Sequence, residues 1–259
     1  MYEIVSYATS PAPKLTIGSQ NASANAQNVG LGAAGASCAT SKLPDVTAEP
    51  RPEPVRDAER TRADLIEVAT AVFSQQGYSG ARVDEIAERT RTTKRMIYYY
   101  FGGKEQLYLA VLENAYRSIR QAEQRLQVDH ADPVHAIRAL AELTFDHHIA
   151  HQDFIRLVSI ENIHRGEFIG RLESLRTLSR PAKSLLDQIL EDGRKQGVFR
   201  DDVDALDVHI VISAYCVFQV ANRYTFGYLF DIDFTDARTR DHLRRMIGDV
   251  VVGWLTTRP

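Results

Sequence analysis

Cysteine is nearly absent from this chain. Of its 259 residues only Cys38 and Cys216 are cysteine. They stand far apart in dissimilar surroundings, which excludes a closely spaced metal or redox pair and a framework of disulfides, and suits a reducing cytoplasm. An excess of one charge is lacking too. Thirty-one Lys and Arg stand against thirty-four Asp and Glu, a net charge of −3, so the chain as a whole does not attract a polyanion, and a nucleic-acid partner would have to be recognised through local clustering. No apolar run approaches the ~20 residues needed to span a bilayer. The opening MYEIVSYATSPAPK lacks the basic-then-apolar order of a secretion signal. A cytoplasmic protein with no membrane partner is therefore expected. Enzyme signatures are missing as well. GLGAAGAS has no strand before it and is no dinucleotide fingerprint, there is no G-x-S-x-G elbow, and no Cys–His pair stands out. The chain reads as a non-enzyme without a cofactor.

What is present divides in two. Residues 1–55 are rich in Ala, Asn, Ser and Gly and end in the proline-rich EPRPEPVR, which disfavours a helix. Too little apolar surface is available there to offset ordering entropy, so a disordered low-complexity tail is expected. From Asp57 onward the punctuation is helical. Leu65, Ile66, Ala69, Val72 and Phe73 recur at spacings of three and four, and Gly77 stands where that helix should stop. ARVDEIAERT and TTKRMIYYYF form short helices, and KEQLYLAVLENAYRSIRQAEQRL opens a long amphipathic one. Further helices are expected over 134–150, 153–165, 167–177, 181–196, 204–226 and 236–256, with no convincing strand. The fold class is all-α.

Between Arg89 and Lys104 the chain carries five cations, no carboxylate, and three consecutive tyrosines. Ile86 and Ala87, the turn Thr90-Arg91-Thr92, then Ile97 and Tyr100 have helix-turn-helix spacing. Thr93 is placed to cap the second helix, whose N-terminal turn presents Lys94, Arg95 and Met96 outward, where a recognition helix carries its base-reading residues. Arg and Lys can donate to guanine O6 and N7, and Met96 can pack on a thymine methyl. The hydroxyls of Tyr98 and Tyr99 can bond phosphate, and Lys104 adds its charge at the next helix start.

VDEIAERTRTTKRMIYYYFGGKEQLYLAVLE resembles the DNA-binding domain of the TetR family of transcriptional regulators, above all in the run Ile97-Tyr98-Tyr99-Tyr100-Phe101 followed by Lys104-Glu105 and Leu107. The resemblance spans about residues 57–113 and implies a helix-turn-helix domain over 56–104 with a helical ligand-binding and dimerisation domain over 105–259. It places Arg82 and Thr93 at helix starts near the DNA backbone. One departure is clear: the turn glycine common in the family is Arg91 here, where a positive φ would cost ~1 kcal/mol or more; either the turn avoids that conformation, or the cost is tolerated because Arg91 adds a phosphate contact.

The resemblance further implies a homodimer on a near-palindromic double-stranded operator and an unidentified small effector, apolar or aromatic. The last two long helices are more apolar than one packed face requires. Leu206, Ile210, Ala214 and Val217, with Met246, Val250 and Trp254, are the expected dimer face. Pocket candidates are Phe145, His148, Phe154 and Ile163, with Leu186, Ile189, Tyr215, Phe218 and Tyr224 from later helices. Two other readings stay open: a metal-responsive regulator using His147, His148 and His151, or a helical scaffold with a vestigial DNA-binding domain.

Overall fold

The structure, a computed structural model, describes residues 54–257, so nearly all of the expected tail lies outside the described residues. Its last two residues lie inside, because the first helix, α1 (Pro54–Gly80), begins at a proline. At a first helical position the missing N–H costs nothing and the fixed φ favours the helix. Pro54 therefore opens α1 instead of opposing it. Near its other end Gly77 adopts φ 69°, ψ 176° and breaks the helix one turn short.

α2 (Val83–Arg89) and α3 (Lys94–Phe101) are too short to be stable alone. They are held by a shared core in which Leu65, Val72 and Phe73 of α1 meet Ile86, Ile97 and Leu107, all fully buried. α4 (Lys104–Gln124) contributes Leu107, Tyr108, Val111 and Leu112 to this core. Leu157 and Phe168, from the C-terminal half, close it.

The rest is a helical bundle. α5 (Pro133–Ala150) starts with Asp132 accepting the amide of His135 at 2.8 Å and Pro133 in its first turn. It runs at the centre, packed against α7 (Glu173–Lys195), α8 (Ala205–Ala221) and α10 (Ala237–Thr256). Ile137, Leu140, Phe145, Ile189, Val208, Ile247 and Val251 make the second core. Asp204 caps α8 reciprocally with Asp207, and Asp236 caps α10 through Thr239. α6 (Gln152–Ile163) lies between the two cores and is followed by a 3-10 turn, Ile169–Arg171.

Two helix boundaries differ from the sequence expectation. Residues 173–195 form one helix across Pro181. An interior proline costs about 3 kcal/mol, but this one is exposed, while Leu175, Ala182, Leu186, Ile189 and Leu190 are buried on the opposite stripe. Their packing holds the helix through. The expected helix 204–226 instead bends by 73° at Asn222 into α8 and α9 (Arg223–Phe230). After α9 the chain turns back at Asp231 and presses its Ile232 carbonyl so near Gly227 that a Cβ there would stand 2.7 Å from it. No single helix among the described residues is long and apolar enough to cross a membrane.

Candidate nucleic-acid interface and effector cavity

The α2–α3 turn is built by the backbone. The amide of Arg91 donates to Glu88 O at 3.0 Å and that of Thr92 to Ala87 O at 2.9 Å, the paired bonds of a Schellman cap. Such a cap requires a left-handed residue after the helix, and Arg91 takes it with φ 52°. The missing glycine thus leaves the turn geometry intact and charges its cost to an arginine. Replacing Arg91 with glycine should stabilise the free protein by about 1 kcal/mol, raising its melting temperature by ~2–4 °C in a thermal unfolding scan. If its exposed guanidinium contacts phosphate, the same variant loses about one unit of salt slope on DNA.

α3 is anchored by Ile97 and Phe101, at 0% and 8% exposure. Its opposite side carries exposed Lys94 and Arg95, with Met96 half-buried between the two faces. Thr93 is the N-cap residue in extended conformation but makes no side-chain cap bond. This differs from the expectation, and it leaves the first α3 amides open at the front of the helix. Lys94 pairs with Asp84 at 3.1 Å with both side chains exposed, a contact weak enough to be exchanged for a phosphate. Tyr98 and Tyr99 are exposed, Tyr99 standing edge-on to Tyr100 at 5.2 Å. Arg82, exposed, precedes α2. Lys104 opens α4 with its ammonium 4.8 Å from the Tyr78 ring centre and within 3.5 Å of the Ser79 carbonyl; burial lowers its pKa.

In the C-terminal half, α4, α5, α6, α7 and α8 line a half-open cavity of ≈ 200 Å³. Ile119, Leu140, Phe154, Ile155, Val158, Leu186 and Ile212 make most of its wall, while Arg120, Glu123, His148 and His209 form a polar end. Arg120 and Glu123 are paired at 2.7 Å and almost wholly buried. His148 is 5% exposed, and burial, partly opposed by the Thr144 backbone, pushes its pKa down to about 4. Nδ1 of His148 and Nε of Arg120 have no hydrogen-bond partner. On the outside, α8 and α10 expose Leu206, Ile210 and Val250, at 59%, 57% and 47%.

Residues 65–111 match the family described as bacterial regulatory proteins, tetR family, and residues 133–251 match the tetracyclin repressor-like C-terminal domain. The HTH-type transcriptional repressor NicS of Pseudomonas putida is 36% identical over 197 residues, covering 76% of this chain and 93% of that protein. This chain belongs to the TetR family. The HTH-type transcriptional repressor SCO4008 of Streptomyces coelicolor is 31% identical over 161 residues, covering 61% of this chain and 78% of that protein. Among solved structures, the transcriptional regulator SCO4942 of Streptomyces coelicolor superposes with a TM-score of 0.56 at 29% identity, covering 73% of this chain and 97% of that one. As a TetR-family protein it is a DNA-binding transcriptional regulator and not an enzyme; members usually act as dimers with small-molecule effectors.

Within this TetR-family fold the expected pocket residues scatter. His148, Phe154 and Leu186 line the cavity. Phe145 and Ile189 are solid core. Tyr215 and Phe218 face a separate outer groove between α8, α9 and α10, and the Tyr215 hydroxyl donates to Leu243 O at 2.9 Å. Ile163 and Tyr224 do not reach the cavity: Ile163 ends α6 at 75% exposure, and the bend at Asn222 carries Tyr224 outward at 67%. Of the expected dimer face, Ala214 is exposed while Met246 and Trp254 are half-buried. Val217 turns inward and lines the cavity instead.

The histidines hold no metal arrangement. His147 Nε2 meets Ser118 Oγ at 3.1 Å, His151 Nδ1 meets His147 O at 2.9 Å, and the two rings stack at 4.0 Å. Among the described residues no three His, Cys, Asp or Glu are grouped to bind an ion. Sequence reasoning overlooked Arg120, Glu123 and His209. The signal was there on α4, whose apolar stripe through Leu112, Tyr116 and Ile119 runs on into Arg120 and Glu123.

Proposed function

We propose that this protein is a homodimeric repressor that reads a near-palindromic operator with α3 and leaves it when a small effector enters the C-terminal cavity. The observation that carries the DNA reading is the front of α3, where Lys94 and Arg95 project beside uncapped amides from a helix rigidly seated by Ile97 and Phe101. Arg95 is the base-reading residue and Met96 its apolar neighbour. Arg82, Arg91, Thr93, Tyr98, Tyr99 and Lys104 surround them as phosphate ligands.

The exposed Leu206, Ile210, Ala214 and Val250 favour a four-helix interface between two copies of α8 and α10. A two-fold dimer sets two α3 helices about 34–36 Å apart, on successive major grooves. Repression is the activity named for the NicS and SCO4008 relatives. Release requires that the effector bind the DNA-free geometry more tightly than the DNA-bound one.

A gel-shift titration on the promoter region of the protein's own gene, across salt concentrations, tests the reading. Lys104→Ala should weaken operator and scrambled duplex alike and flatten the salt dependence by about one unit. Wild-type protein that shifts neither duplex in dilute buffer, or that sediments only as single chains, would overturn it.

A further inference from the structure

The polar end of the cavity has a specific chemistry. Arg120 is about nine-tenths buried and its Nη1 donates to Glu123 Oε2 at 2.7 Å, yet its Nε–H, which faces no acceptor, remains unused. His148, more deeply buried, has an unpartnered Nδ1 on the same cavity. A buried donor without a partner costs roughly 1–3 kcal/mol, so this one N–H, beside the His148 imidazole at the polar end of a mostly apolar chamber, marks a place for an acceptor. The only carboxylate in the wall is already held by Arg120, so nothing is left to receive a cation.

We propose that the cavity takes a small carboxylic acid as its anion, with the carboxylate against Arg120 Nε and His148 and a single ring or short alkyl chain among Ile155, Val158 and Leu186. This rests on the effector-binding reading above and names the class of ligand. The size follows from volume: ≈ 200 Å³ is the scale on which apolar cavities of ~150 Å³ take up benzene. The charge follows from Arg120, since guanidinium–carboxylate bonds are the strong ones in a desolvated site.

An entering anion also meets Glu123, and two carboxylates cannot share one guanidinium in a dry site without cost. Facing the ligand are Tyr116, Arg120 and Glu123 from α4, His148 from α5 and His209 from α8; α6 and α7 contribute only apolar side chains. Burial raises the Glu123 carboxyl and lowers both imidazoles. In the empty site all three lean toward neutrality, and an added negative charge favours proton uptake by each. Binding therefore draws a proton in, and affinity falls with rising pH by up to about tenfold per unit.

The test uses the full chain with benzoate, phenylacetate and hexanoate, each beside its amide, and with benzylamine, measured by calorimetry and thermal shift. At least one acid should bind at least tenfold more tightly than its amide, with proton uptake and loss of affinity at higher pH, while benzylamine does not bind. Glu123→Gln should tighten acid binding and diminish the proton uptake, and Val158→Trp, which fills the chamber from its apolar wall, should abolish binding. Acids no better than amides, tighter binding of benzylamine, or no acid bound at all each overturn the assignment. A parallel gel shift separates the two claims. Intact operator binding with no acid bound rejects the ligand class alone. Acid binding that leaves operator affinity unchanged upholds the class and rejects effector release.

Discussion

Glu161→Ala is expected to lower the melting temperature by on the order of 10 °C. Glu161 is 3% exposed. One of its oxygens accepts the Tyr108 hydroxyl at 2.9 Å. The other accepts the amides of Phe168 at 3.2 Å and Ile169 at 2.9 Å. These three bonds tie α4 to α6 and to the 3-10 turn, beneath a cluster in which Phe73, Tyr78, Tyr108 and Phe168 meet ring against ring. Burial and the adjacent Glu161 carboxylate hold the Tyr108 phenol protonated, well above its ordinary range. Alanine strands one phenol and two amides without water to replace the acceptor. Bonds to a charged partner contribute ~1.5–3 kcal/mol each and do not add fully, so ~3–5 kcal/mol is the expected loss. Tyr108→Phe, which removes one bond of the three, should cost ~1.5–3 kcal/mol. Circular dichroism melts of both variants check this, and a Glu161→Ala melt within about 2 °C of wild type would show the node to be dispensable.

The second large effect concerns DNA. Arg95→Ala should cost about 1–3 kcal/mol on the operator, roughly 5- to 150-fold in affinity, and relax preference at one base pair. Arg95 is exposed on the first turn of α3 and has no intramolecular ion pair among the described residues. Its removal should leave the fold unchanged and the loss confined to recognition. Lys94, tied to Asp84, already gives up one contact on binding and should lose less when replaced by alanine. Competition gel shifts on operator and scrambled duplex separate the roles: a base reader loses its preference, whereas equal losses on both duplexes would reduce Arg95 to a phosphate ligand.

The DNA-reading half was legible because its signals are local. The capping turn, the alternation of Ile97 and Phe101 with Lys94 and Arg95, and the cation-rich run all lie within one short stretch. At Arg91 the missing glycine was legible, but the sequence left open whether the turn keeps its positive φ, which it does. The cavity was not, because its wall is drawn from five helices, and apolar periodicity alone cannot tell a lining residue from a packed one. Phe145 and Phe154 look alike in sequence, yet one fills the core and the other faces empty space. Only a charged residue on an apolar stripe marks the difference, as Arg120 and Glu123 do. Pro181 misled in the opposite direction, since a strong local breaker was overruled by packing on the far side of its helix.

α4 is one unbroken helix of 21 residues, about 30 Å long at 1.5 Å per residue. Tyr108, held by Glu161, fixes it roughly 6 Å from Lys104 and some 18–22 Å from Arg120 and Glu123. A rod pivoted so near one end has unequal arms. A sideways shift at the cavity reaches the opposite tip about threefold smaller, while the angle is transmitted whole. In the homodimer proposed above, the reading head is therefore expected to turn much more than it is carried, and two heads so turned to fall out of step with the grooves they must enter together.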